Sequence, residues 1–137
     1  MVKTARDIMH KHTIVPDDMT VKEVAKLMSK NKIGSVLVGK GKTFGILTER
    51  DIVTKIIVEG RDPNKVYAKD IMQYPVVTIG PEADLYKIGK IFSENTFRRL
   101  PVMEDGKVIG ILTTRDVAKQ FIPKFFKDTF HFKDFRF

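Results

Sequence analysis

The heptad Gly-Ile-Leu-Thr-Glu-Arg-Asp at Gly45–Asp51 returns at Gly110–Asp116 as Gly-Ile-Leu-Thr-Thr-Arg-Asp, 65 residues on with one letter changed. A duplicated segment restricts the chain to folds that use one supersecondary unit twice. The repeat extends beyond the heptad: Thr-Ile-Val-Pro at Thr13–Pro16 matches Thr-Ile-Gly-Pro at Thr78–Pro81 at the same spacing. Between these anchors lie the apolar sets Val21, Val24, Ala25, Leu27, Met28 and Leu85, Ile88, Gly89, Ile91, Phe92, which share offsets 0, 3, 4, 6 and 7. That spacing is one face of an α-helix.

Each helix is followed by a short apolar run, Ile33–Val38 or Phe97–Val102, that reads as a strand. Glycine-containing turn letters and a second strand come next. Thr48 or Thr113 then opens a closing helix, with Ile52, Val53, Ile56 and Ile57 or Val117, Ala118, Phe121 and Ile122 expected to be buried. Each half therefore reads strand, helix, strand, strand, helix, with a short helix before it at Thr4–Met9 or Tyr67–Met72. The expected class is α/β (α+β), with two pseudo-twofold repeats packed through their sheets. A half of about 60 residues is marginal alone, which favours a shared core. Gly60 ends a helix and Pro63 prevents its restart, so the halves are placed at 1–62 and 63–123, with a tail at 124–137.

Composition removes several function classes. There is no cysteine, hence no disulfide, thiolate catalyst or cysteine metal site. No apolar run reaches the roughly 18 residues of a bilayer span, and the first residues do not resemble a secretory signal, so cytoplasm is the expected compartment. No nucleophile sits beside a base and no catalytic carboxylate pair stands out, so no enzyme activity is expected. The pair His10 and His12 reads as a solvated basic loop, and no metal site is expected. Gly34–Gly41 approximates a phosphate loop, but its last hydroxyl is replaced by Gly41 and its middle is a strand. The net charge of +8 favours an anionic partner, either a small molecule or nucleic acid.

Taken alone, Thr-x-x-Asp at a helix start is a capping box. Thr48 would accept from the Asp51 amide while Asp51 reaches back to the Thr48 amide, and Thr113 and Asp116 would do the same. Yet capping explains neither the repeated Gly-Ile-Leu before it nor the arginine inside it.

The element order, the two Gly-Ile-Leu-Thr-x-x-Asp endings, Asp-Ile-Met near each start and Arg-Arg-Leu-Pro-Val in the second half resemble a tandem pair of CBS (cystathionine β-synthase) domains, a Bateman module. The resemblance covers Thr4 to about Pro123. It implies a regulatory binding module for AMP, ADP, ATP or S-adenosylmethionine. The ligand would lie in a cleft between the repeats, two pairs would commonly form a homodimer, and the signal would pass to an effector protein. By that resemblance Asp51 and Asp116 would each accept from the two ribose hydroxyls, as a carboxylate does well. Thr48 and Thr113 would lie beside ribose or phosphate, and Gly45 and Gly110 would let backbone approach the nucleotide. The adenine slot would be built from Thr13, Ile14, Val15, Ser35 and Val36, and from Thr78, Ile79, Leu100 and Pro101. Arg98 and Arg99, with Arg50 and Arg115, are the phosphate candidates, guanidinium being suited to phosphate. Gly34 and Ser35 replace the arginine pair in the first half, so unequal occupancy is expected, with the second repeat's arginines serving the Asp51 cleft.

The tail carries Phe125, Phe126, Phe130, Phe132, Phe135 and Phe137 among lysines and an arginine. It is expected to pack on its own module or a dimer mate. The alternative is an interaction module in which the tail binds protein or single-stranded nucleic acid.

Overall fold

In the computed structural model, which describes residues 3–40 and 43–123, the helical stripes do what their spacing predicts. Val21, Val24 and Met28 bury one face of α2 (Val21–Asn31), and Ile88 anchors the same face of α5 (Leu85–Ser93). Thr20 caps α2 by accepting from the Glu23 amide, and Asp84 caps α5 through the Lys87 amide. The aromatic tail lies outside the described residues.

The chain divides into two compact units. One is His12–Val76. The other joins the segment up to Lys11 to the chain from Val77 onward. The short helix α1 (Ala5–Ile8) therefore belongs with the second repeat's strands, and α4 (Ala68–Ile71) with the first repeat's. Ala5 donates its amide to Ala83, and the Val21 amide meets the Val66 carbonyl just ahead of α4.

In the first unit β1 (Ile14–Val15) runs parallel to β2 (Ser35–Lys40), and β2 pairs antiparallel with β3 (Thr43–Thr48), Ser35 lying opposite Thr48. Val15, Val24, Val36, Leu47, Ile56 and Ile71 form its core. In the second unit β4 (Arg99–Glu104) and β5 (Lys107–Thr113) make a hairpin with Arg99 opposite Thr113. Its turn uses positive φ at Asp105 (52°) and Gly106 (78°), the backbone a tight primed turn requires. The first strand expected there is reduced to one parallel bridge, Ile79 with Val102. Ala5, Ile8, Ile79, Ile88, Leu100 and Leu112 form this second core.

The closing helices depart from expectation. α3 (Glu49–Ile52) continues as a π-helical turn, Val53–Ile57, with the Val58 amide bonded to the Val53 carbonyl. Ile56 is buried, but Val53 and Ile57, expected inside, are 52% and 68% exposed. The wider π turn rotates the apolar stripe out of phase with a 3.6-residue repeat. In the second repeat α6 (Thr114–Lys119) ends before Phe121, which is 74% exposed rather than buried. Among the described residues no helix is long and apolar enough to cross a membrane.

Candidate functional site

Each heptad runs off the last strand of its hairpin and into the closing helix, so its threonine is an N-cap and its aspartate the third helical residue. Thr48 Oγ1 accepts from the Asp51 amide at 3.2 Å, and Asp51 Oδ2 accepts from the Thr48 amide at 2.8 Å and from Oγ1 at 3.0 Å. The second copy repeats this at 2.7, 3.0 and 3.2 Å between Thr113 and Asp116. The capping reading therefore holds in both repeats.

Each carboxylate has a further partner that the sequence did not reveal. Gln73 Nε2 lies 3.2 Å from both Oδ1 and Oδ2 of Asp51. His10 Nδ1 lies 3.0 Å from Asp116 Oδ2, so His10, though its side chain is half exposed, also has a carboxylate partner. Gln73 and His10 are delivered alike: each follows Asp-Ile-Met at the end of a short helix and adds a one-residue bridge to a hairpin strand, Gln73 to Ile46 and His10 to Ile111. Lys55 adds a cation on Asp51 Oδ1 at 3.2 Å, while also donating to the Ile71 carbonyl at 2.8 Å. The Asp51 side chain is 6% exposed and that of Asp116 15%.

These same segments explain the glycines. A Cβ on Gly45 would lie 2.5 Å from Met72 Sδ and 2.8 Å from the Gln73 carbonyl oxygen, and one on Gly110 would lie 2.6 Å from Met9 Sδ. On the side where a Cβ would stand, the close approach is made by the protein's own chain.

The other expected site residues divide into two groups. Val15 and Val36 belong to the first core, Ile79 and Leu100 to the second, and Pro101 is fully buried, so these side chains are packing residues. Ile14 is 45% exposed and Thr78 is exposed, while Thr13 uses its carbonyl to hold the Leu37 amide. Cross-strand pairing sets Arg99 opposite Thr113 and Ser35 opposite Thr48, and directly opposed residues share a face of the hairpin. Arg98 and Arg50 are exposed. Arg115 is different: its Nε and Nη2 are sealed from solvent and have no hydrogen-bond partner among the described residues. A shielded, unpaired guanidinium edge is costly to leave unsatisfied.

Burial raises the Asp116 carboxyl, but the His10 hydrogen bond and charge, with the Thr113 amide and hydroxyl, outweigh it and hold the group below its ordinary value near 3.8. A depressed carboxyl contributes stability above its unfolded pKa and loses it as pH falls through the folded one. Between about pH 5 and about pH 3, urea unfolding should therefore show a larger loss for the wild type than for Asp116→Asn. Equal losses would contradict the pairing.

The family model for the CBS domain matches residues 5–58 and 68–122, and the chain belongs to that family. CBS pairs are regulatory modules and often bind adenosine ligands. The chain is 40% identical over 103 residues to an uncharacterized protein of Methanopyrus kandleri, covering 73% of this chain and 53% of that protein. A second uncharacterized relative, from Methanocaldococcus jannaschii, is covered over 62% of its length, so the match spans little more than half of both proteins. Hypoxic response protein 1 of Mycobacterium tuberculosis is 31% identical over 119 residues, 85% of this chain and 83% of that one. Its solved structure, with two coordinated zinc ions, gives a TM-score of 0.74 at 31% identity over 87% of this chain and 99% of that chain. Among the described residues here, no group of three or more His, Cys, Asp or Glu is placed to hold a metal. A hexameric CBS-CP12 protein from bloom-forming cyanobacteria gives a TM-score of 0.80 at 28% identity, over 94% of this chain and 77% of that one.

Proposed function

We propose that the chain is a non-catalytic regulatory CBS pair whose Thr-x-x-Asp sites bind an adenosine ligand reversibly, with AMP, ADP, ATP and S-adenosylmethionine as the candidates. Asp51 and Asp116 accept the ribose diol, with Thr48 and Thr113 beside it. The main chain at Thr13–Val15, Ser35, Val36, Thr78, Ile79, Leu100 and Pro101 edges the base. Arg99 and Arg115 meet phosphate, with Arg50 and Arg98 as outer cations. The observation that carries this reading is Arg115, next in sequence to Asp116: its Nε–Nη2 edge is shielded and has no hydrogen-bond partner among the described residues. That edge makes two parallel bonds to an oxyanion, and a carboxylate beside it suits a sugar diol. A ligand that favours one arrangement of the protein shifts its population, and an effector protein reads the result. A second copy of the chain is the proposed first partner, through the exposed Val53, Ile57 and Val58.

Native mass spectrometry of the protein as purified reads both stoichiometry and carried ligand. A dimer mass with an adenosine compound, and a melting temperature raised by at least one candidate, are the expected results. A bare monomer insensitive to all of them would end the reading. Arg115→Met should leave unliganded stability unchanged or slightly raised, because a shielded Nε–Nη2 edge with no hydrogen-bond partner among the described residues is replaced by an apolar chain of similar length. It should weaken AMP binding by about tenfold or more while sparing adenosine. An unchanged AMP affinity would remove Arg115 from the site.

A further inference from the structure

The two heptad aspartates are held by different chemistry. Asp51 faces the Gln73 amide and the Lys55 amino group. Asp116 faces His10, while Gln120, which stands where Lys55 does relative to the aspartate, donates instead to the Asp116 carbonyl at 3.3 Å. One site thus faces a lysine and the other a histidine, the side-chain type that serves as a charge switch near neutral pH.

We infer that His10 is a specificity-determining residue: it makes the Asp116 site accept a ligand diol when the imidazole is neutral and resist it when the imidazole is charged, while the Asp51 site responds much less to pH. The inference rests on the reading of Asp116 as the diol acceptor. The described contacts to the Asp116 carboxylate, from the Thr113 amide, the Thr113 hydroxyl and His10, all fall on Oδ2. A vicinal diol brings two donors. Bound with one hydroxyl on each oxygen, it meets an open Oδ1 and an Oδ2 where three groups already stand, one of which gives way. The two threonine bonds belong to the helix cap. His10, with its side chain 52% exposed, is the group free to swing into water. The bond to a carboxylate is charge-assisted in either state, but an imidazolium adds the attraction of opposite charges, so it yields less readily.

The other charges around His10 do not share this role. From α6 come Asp116 itself and Arg115, whose Nε and Nη2 have no hydrogen-bond partner among the described residues. From α1 come Asp7, held by Thr4, and Arg6, held by Glu82 and Glu104. The facing part of β5, Ile109–Leu112, carries no charge, and Lys11 and His12 follow His10 in the chain. Among the described residues, Asp116 is the charged group in contact with His10.

Adenosine is the proper probe, since it has the diol and no phosphate to be attracted by an imidazolium. NMR titration of the full chain at about pH 5.5 and about pH 8 reads the two sites separately through the Thr113 and Thr48 amides. Adenosine affinity at Thr113 should weaken roughly three- to tenfold at the lower pH, with less than about a twofold change at Thr48. His10→Gln, which installs the residue the other repeat uses, should abolish the change at Thr113. Gln73→His should introduce one at Thr48. If adenosine binds and His10→Gln keeps the wild-type pH dependence, His10 has no such role. If adenosine binds neither amide's site at either pH, the diol reading fails, and this inference fails with it.

Discussion

Gly45→Ala is expected to destabilise the protein by about 3 kcal/mol, and Gly110→Ala by about 1 kcal/mol. The difference lies in what the new methyl meets. At Gly45 two neighbours are too close: Met72, through Sδ at 2.5 Å and Cγ at 2.9 Å, and the Gln73 carbonyl oxygen at 2.8 Å. The thioether can swing aside. The carbonyl cannot, because it accepts from the Ile46 amide at 3.0 Å while the Gln73 amide donates back to Ile46 at 2.7 Å. Moving that bridge also carries the Gln73 side chain away from Asp51. At Gly110 the corresponding carbonyl, that of His10, is 3.1 Å away, so a shift of a few tenths of an ångström and a rotation of Met9 relieve the contact. Urea denaturation of the two variants measures this directly. Equal costs, or a larger one at Gly110, would mean that the bridging segment is not what these glycines accommodate.

That glycine pair also marks where sequence reasoning stopped. The repeat, the two helix stripes, the hairpins and both capping boxes were legible, because each depends on residues within one turn or one hairpin. The partners of the aspartates were not. His10 reaches Asp116 only because α1 packs with the second repeat's strands, and Gln73 reaches Asp51 only because α4 packs with the first repeat's. No local periodicity encodes that exchange. One signal was available: Asp-Ile-Met is followed by His10 in one copy and by Gln73 in the other. Both side chains donate hydrogen bonds, and they sit at equivalent places beside residues already suspected of function. Val53 and Ile57 were misplaced for a different reason, since a pattern count assumes 3.6 residues per turn and the π turn breaks that period. Val15, Val36, Ile79 and Leu100 show that an apolar residue near a proposed slot is, in this protein, a core residue first.

Asp51→Ala should cost about 3 kcal/mol and exceed Asp116→Ala by about 1 kcal/mol. The substitution removes the acceptor for the Thr48 amide and hydroxyl, for Gln73 Nε2 and for Lys55 Nζ together. Loss of the reciprocal half of the capping box accounts for about 1 kcal/mol. The remainder comes from donors left in a site where the carboxylate was 6% exposed. Lys55, with 41% of its side chain exposed, recovers part of its hydration, which keeps the loss below that of a fully buried ion pair. At Asp116 the carboxylate is wetter and His10 is half in water, so removal leaves less unsatisfied. Asp51→Asn separates fold from binding. Its carbonyl oxygen can still accept from the Thr48 amide, which preserves most of the cap, but it has one acceptor oxygen where a diol needs two. The folded Asn variant should therefore lose about tenfold or more in adenosine affinity at the Thr48 reporter while losing less stability than Asp51→Ala. A variant that keeps wild-type affinity would show that this carboxylate holds the helix and nothing else.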